Sequence, residues 1–236
     1  MSEQQTAVIV GVGPGLGRSL VKAFYEAGFK VVMAARNPGH LAGLYPDGCG
    51  GDVIAQSCDV TDPDSVAGLF ATVDETVGAA DVVVYNAGTF VPGRVAEIKP
   101  AEFERCWRVG CFGGFLVGQQ AAQRMLAAGS GTIIFTGATA ALRGGAGFAN
   151  LSAPKFGLRS LSQTLARELG PENIHVAHVV VDGQILSERS AHLLKGKGPD
   201  ALLDPDHIAQ TYLYLARQPR TAWTQEMDLR PWSEKF

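Results

Sequence analysis

The chain of 236 residues is expected to fold as a single doubly wound α/β domain, a parallel sheet of about seven strands flanked by helices. Three observations predict this. Short apolar, β-branched runs alternate with helical segments along the whole length. A glycine-rich turn joins the first strand to the first helix. A second small-residue turn, Asn86-Ala87-Gly88, follows the fourth strand, which sets the two turns across the crevice where the winding direction reverses. The length suits one domain, residues 1–236, and no linker or internal repeat divides it.

The elements follow in order. Val8, Ile9 and Val10 form a buried strand, and Arg18–Ala27 carries Leu20, Val21, Phe24 and Ala27 at helical spacing. Lys30–Ala34 is the second strand, 37–52 a loop or irregular helix rich in proline and glycine, and Val53–Cys58 the third strand. Thr61 or Asp62 caps a helix with Pro63 at its first position, running to about Thr76. Asp81–Tyr85 is a fourth strand. Pro100–Ala128 is a long helical region, kinked or interrupted near Gly110–Gly114. Thr132–Thr136 and Ile174–Val181 are strands on either side of the helix Ala149–Leu169. Asp204–Arg217 is a capped helix and Trp223–Leu229 a last strand. His175 and His178 are expected buried on one face of their strand, with Ala177 opposite.

Composition bounds the function. Apolar residues make 46% and charged residues 18%, ordinary for a water-soluble domain. A net charge of −3 gives no reason to expect nucleic acid or an anionic membrane. No apolar run is long enough to span a bilayer, and no basic-then-apolar leader precedes the first strand. Cys49, Cys58, Cys106 and Cys111 lack metal-ligand or disulfide-framework spacing and read as reduced thiols, so a cytoplasmic protein without a metal is expected.

Within Val8–Gly17, Gly11, Gly13, Gly15 and Gly17 separate strand from helix. Unpaired N–H groups and a partial positive charge at a helix N-terminus attract a pyrophosphate, and residues without side chains let it approach the backbone. Gly11, Gly15 and Gly17, with Leu16 between the last two, fit Gly-x-x-x-Gly-x-Gly. With Asn86-Ala87-Gly88 as a second signature, the chain resembles the short-chain dehydrogenase/reductase family, a resemblance that covers nearly its whole length. It implies a Rossmann domain that binds a nicotinamide dinucleotide. Pro14 stands where many relatives carry Arg or Ser, removing one N–H and stiffening the loop. Asp59-Val60 resembles the family's adenine-contacting position, an Asp approaching a helix being the other reading. The end of the second strand carries Ala35-Arg36, with no acid until Asp47. A guanidinium suits a 2′-phosphate and gains nothing from a neutral ribose, so Arg36 is read as selecting NADP(H) over NAD(H), a solvated strand-end arginine being the alternative.

The downstream half also resembles the family, and it is vacant where the chemistry should be. Gly131-Thr-Ile-Ile-Phe-Thr-Gly-Ala-Thr-Ala matches the stretch with the catalytic Ser, and Leu151-Ser-Ala-Pro-Lys155 the Tyr-x-x-x-Lys element. Position by position, the family's Asn is Gly110, its Ser is Ala138 and its Tyr is Leu151; only Lys155 remains, with its ribose-binding role. Glycine, alanine and leucine side chains donate no proton. General acid catalysis is worth roughly 10²–10⁴ in rate, so turnover is handicapped and not forbidden. Thr136, Thr139, Ser152 and Arg143 lie near the vacant positions, although capping and turn roles suit the hydroxyls better. The expectation is an NADP(H)-dependent oxidoreductase acting on a small carbonyl/alcohol substrate with an atypical proton donor; the alternative is a catalytically silent dinucleotide-binding protein. Asp182-Gly183 stands where the family has Pro-Gly, and residues 184–200 would form a lid over the substrate, basic in its second half. Gly113, Gly114 and Gly118 suggest close helix packing, within a subunit or between two. The resemblance implies a homodimer or homotetramer.

Overall fold

The computed structural model describes residues 4–37, 39, 50–196, 198 and 200–234, and the account below concerns those residues. Most of the loop expected over 37–52 lies outside them, with Asp47 and Cys49, as does Lys197 of the 184–200 segment. The strands are β1 (Thr6–Val10), β2 (Lys30–Ala35), β3 (Val53–Ser57), β4 (Val82–Tyr85), β5 (Gly131–Thr136), β6 (Ile174–Val181) and β7 (Glu226–Leu229). They pair in the order β3-β2-β1-β4-β5-β6-β7, each pair parallel. The chain builds outward from β1 to β3, then crosses back to place β4 on the other side of β1. That reversal opens a crevice at the carboxyl ends of β1 and β4.

The helices are α1 (Leu16–Glu26), α2 (Pro63–Thr76), α3 (Pro100–Trp107), α4 (Gly113–Ala128), α5 (Ala149–Leu169) and α6 (Pro205–Ala216). Strand alternation sends Ala7, Ile9, Val31 and Val84 to the face covered by α1 and α6. Val8, Val10, Val32 and Val83 go to the face covered by α2, α4 and α5. The central strands are apolar on both faces, as a sheet with two helical layers requires. Asp62 caps α2 through the amide of Asp64 at 3.0 Å, and Asp204 caps α6 through that of Asp206 at 2.8 Å, each followed by proline. No described helix is long and apolar enough to cross a membrane.

The helical region 100–128 is interrupted where its glycines predict, by a five-residue π-helical turn, Arg108–Phe112, between α3 and α4. The Tyr85 hydroxyl donates to the Val109 carbonyl within that turn. The glycines that follow serve packing inside the chain. A Cβ on Gly114 would lie 2.4 Å from Leu158 Cδ1 on α5, and one on Gly113 2.5 Å from Tyr85 Oη.

Two expectations on β6 and β7 need correction. β7 begins at Glu226, because Trp223 and Thr224 are held otherwise: the indole stacks on His175 at 5.0 Å, and Thr224 bonds the Gln218 side chain twice at 2.8 Å. His175 and His178 do not share a face, since positions three apart on a strand point to opposite sides. His175 shares its side with Ala177 and bonds the Thr224 carbonyl at 2.8 Å. His178 lies beneath α5, where its Nδ1 meets Glu226 at 2.9 Å and Arg159 grips the same carboxylate at 2.7 and 2.6 Å.

Burial outweighs the Glu226 bond and holds His178 below the ordinary histidine value of 6.5; burial likewise lowers His175. Both therefore take up a proton less readily in the folded state than in the unfolded chain. Stability is therefore fully present above about pH 6.5 and falls as the pH drops through that region. Urea melts between about pH 7 and pH 5 should show this slope, and His178→Gln should flatten it while lowering stability at pH 7. An unchanged slope in the variant would remove His178 from the account.

Candidate active site

The loop after β1 is built from two kinds of glycine. Gly11 takes a φ of 91°, and a Cβ there would lie 2.3 Å from the Ala87 nitrogen; one on Gly17 would lie 2.7 Å from Val12 Cα. Those two glycines allow the protein to pack. Gly13, Gly15 and Gly88 are different: a Cβ at any of them would point into open space. Their bareness clears space. The helix behind them, α1, starts at Leu16 with no side-chain cap and no acid in its first turn, so its amide end is left for an external anion. Asn86 pins the loop, its Nδ2 donating to the Gly11 carbonyl at 3.0 Å while its own amide bonds Val10 at 2.8 Å.

A cleft of about 320 Å³ opens beside this loop. It brings together Gly11, Gly13, Arg36, Asp59, Val60, Asn86, Ala87 and Gly88, which are far apart in sequence. Asp59 accepts from the amide and hydroxyl of Thr61 at 2.9 and 2.8 Å, and those bonds, more than the charges of Arg36 and Arg108, hold its carboxyl below the usual range. It thus both approaches α2 and lines the cleft. Arg36 is exposed at the end of β2 and makes no ion pair among the described residues. The helical wall of the cleft consists of Arg105 and Val109, which sequence reasoning missed. Their spacing of four, ending one residue before Gly110, was the available signal. Bare glycines and an uncapped helix end fit the pyrophosphate of a dinucleotide.

Beyond Leu16 and Asn86 the space continues past Thr136, Gly137 and Ala138 toward the 184–200 segment, whose Arg189 and His192 line it. The base of that segment is closed by a bridge between Ile185 and Leu203. A neighbouring cavity of about 340 Å³ holds Ala138, Thr139, Arg143, Phe148, Leu151 and Glu234 together. Ala138 and Leu151 therefore share one wall, thirteen positions apart in sequence. Gly110 does not join them. It is buried in the π-helical turn, where a Cβ would come within 2.8 Å of Pro154 Cβ, so no side chain fits without moving α5. Glu234, near the end of the chain, carried no sequence signal.

The hydroxyls near the vacant positions are engaged elsewhere. Thr139 donates to Asp182, which also faces Arg230 at 3.4 Å. Ser152 donates to the Phe148 carbonyl at 3.1 Å in a helical turn. Thr136 Oγ1 accepts from Tyr212 at 2.9 Å, and the Thr136 carbonyl accepts from Lys155 Nζ at 2.5 Å. Lys155 is 6% exposed. Burial lowers its ammonium from 10.5 to about 8.

The sequence and structure have counterparts among known proteins. A profile of the short chain dehydrogenases matches residues 5–195. The 3-oxoacyl-[acyl-carrier-protein] reductase MabA of Mycobacterium tuberculosis is 30% identical over 181 residues, 77% of this chain and 69% of that one. The crystal structure of a short-chain dehydrogenase from Rhodopseudomonas palustris superimposes with a TM-score of 0.84 at 36% identity, covering 97% of this chain and 99% of the other. A metagenomic short-chain oxidoreductase in complex with NADP gives 0.82 at 27%, covering 98% and 99%. With the Rossmann sheet and the glycine cleft, these likenesses settle the assignment: the chain belongs to the short-chain dehydrogenase/reductase family, NAD(P)-dependent oxidoreductases acting on small molecules.

Proposed function

We propose that the protein is an NADP(H)-dependent oxidoreductase that interconverts a small carbonyl and its alcohol, with the Lys155 ammonium replacing tyrosine as proton donor. The observation that carries this reading is the single cleft that brings the glycine loop together with Arg36, Asp59 and Asn86-Ala87-Gly88. The loop amides and the α1 N-terminus hold the pyrophosphate, and Arg36 pairs with the 2′-phosphate. Asp59 and Val60 border the adenosine, and Lys155 serves the nicotinamide ribose. The bound nicotinamide supplies or accepts the hydride. Ala138, Leu151, Phe148 and Arg143 receive the substrate, and residues 184–200 cover it. Free thiols at Cys58, Cys106 and Cys111 suit a cytoplasmic protein. Exposed aromatic rings at Phe103, Trp107 and Phe115 suit a homodimer or homotetramer.

Lys155 is the only side chain at the four family positions that carries a transferable proton. Its Nζ bonds the carbonyl of Thr136, which lines the space beside Ala138, and burial lowers it to about 8, in the range of an effective general acid. Hydride delivery to an aligned carbonyl needs no acid to gain its positional advantage, worth roughly 7–11 kcal/mol.

Calorimetry tests the cofactor. Arg36→Ala should weaken NADPH about 10–100-fold and NADH less than about twofold, because a lost charge-assisted pair acts only on the phosphate. Equal losses would mean that Arg36 does not read it. Reduction of a diketone by NADPH tests the acid: the parent rate should fall as the pH rises through about 8, and Lys155→Met should lose about 10²-fold together with that inflection. A Lys155→Met enzyme with the parent's rate and profile would eliminate this donor. Finally, Leu151→Tyr with Ala138→Ser should raise the rate on the order of 10²-fold. The thermal midpoint should be followed alongside, since a larger ring can cost about 1–3 kcal/mol. A double variant that folds, binds NADPH and is no faster would refute the placement of these two positions.

A further inference from the structure

We propose that Arg105 is a reader of the adenine base, laying its guanidinium over the ring of a nucleotide seated between Val60 and Val109. The inference rests on the cofactor reading above and adds a residue to it. Three observations carry it. Arg105 lines the same cleft as Arg36 but comes from the helical wall, one turn above Val109 on the same stripe of α3 and the π-helical turn. Val109 and Val60 belong to one apolar cluster, which gives that part of the cleft walls suited to a flat, weakly polar ring. Arg105 is exposed and makes no hydrogen bond or ion pair among the described residues, although Glu102 and Glu104 stand on its own helix.

The other charges of the cleft are differently disposed. Arg36 follows the end of β2, on a different element from Arg105. Arg108 donates to the Thr61 carbonyl at 3.0 Å, and the Asp59 carboxylate accepts from the Thr61 amide and hydroxyl. Arg105 is thus an uncommitted planar cation at the edge of an apolar slot, the arrangement in which a guanidinium stacks on an aromatic face. The two arginines divide the adenosine between them, Arg36 on its phosphate and Arg105 on its base.

The test is calorimetric titration of NADPH, NADH, 5′-ADP and adenosine 2′,5′-bisphosphate into the parent, Arg105→Ala and Arg105→Lys. A base reader predicts a loss of about tenfold for every one of these ligands in Arg105→Ala, the range expected of a stacked cation. Arg105→Lys should lose nearly as much, because an ammonium keeps the charge without the plane. Losses confined to the 2′-phosphorylated ligands, with Arg105→Lys near the parent, would overturn base reading in favour of phosphate attraction. Unchanged affinities in both variants would overturn the role altogether. A parent that binds none of the four would overturn the cofactor reading itself, an outcome distinct from the other two.

Discussion

The cleft depends on one close approach, that of the Gly11 backbone to Asn86 and Ala87. β1 and β4 are neighbours only because the chain reverses its winding there, and the two loops leaving them must pass within contact distance. Gly11 makes this passage sterically possible, and the Asn86 amide then fastens the carbonyl of Gly11. Such a bond contributes only about 0.5–1.5 kcal/mol net. Its importance is geometric: it fixes where the loop turns and hence where α1 points its amide end. The bare glycines, Arg36 at the next strand end and the helical wall all take their positions relative to that crossing.

A second layer lies behind the cleft, and it is polar where the sheet is otherwise apolar. Lys155 and Tyr212 converge on Thr136 from opposite faces of the sheet, one through the carbonyl and the other through the hydroxyl. A little further along α5, Arg159 and His178 share Glu226. An ammonium that is 6% exposed and bonded to a single carbonyl destabilises the fold it sits in. Burial of this charge works against folding, and the bond to the Thr136 carbonyl offsets only part of that cost.

Much of this was legible from residues alone, for reasons that differ by element. β-branched runs bounded by glycine and acidic caps placed the strands and α2 and α6 closely, because buried parallel strands and capped helices leave strong local marks. The glycine loop and Asn86-Ala87-Gly88, which meet in one cleft, were legible as motif spacing, as was the pairing of Ala138 with Leu151 in one cavity. What escaped was set by tertiary contact. The start of β7 depends on Trp223 stacking with His175, forty-eight positions earlier in the sequence and invisible to local pattern. The faces of His175 and His178 follow from strand parity, and there the misplacement lay in the counting. Arg105 and Glu234 enter their cavities only through the packing of a helix and a chain end onto distant strands.

The crowding around Gly110 governs the spacing of two helical elements. An asparagine there would bring its Cβ into collision with Pro154, and α5 would have to retreat. Gly157 makes the contact tighter still, for its own missing Cβ is where Cys111 Sγ now lies. Two missing Cβ atoms, one on each element, thus set how closely the π-helical turn and α5 can lie, and a side chain added at either position would push both apart.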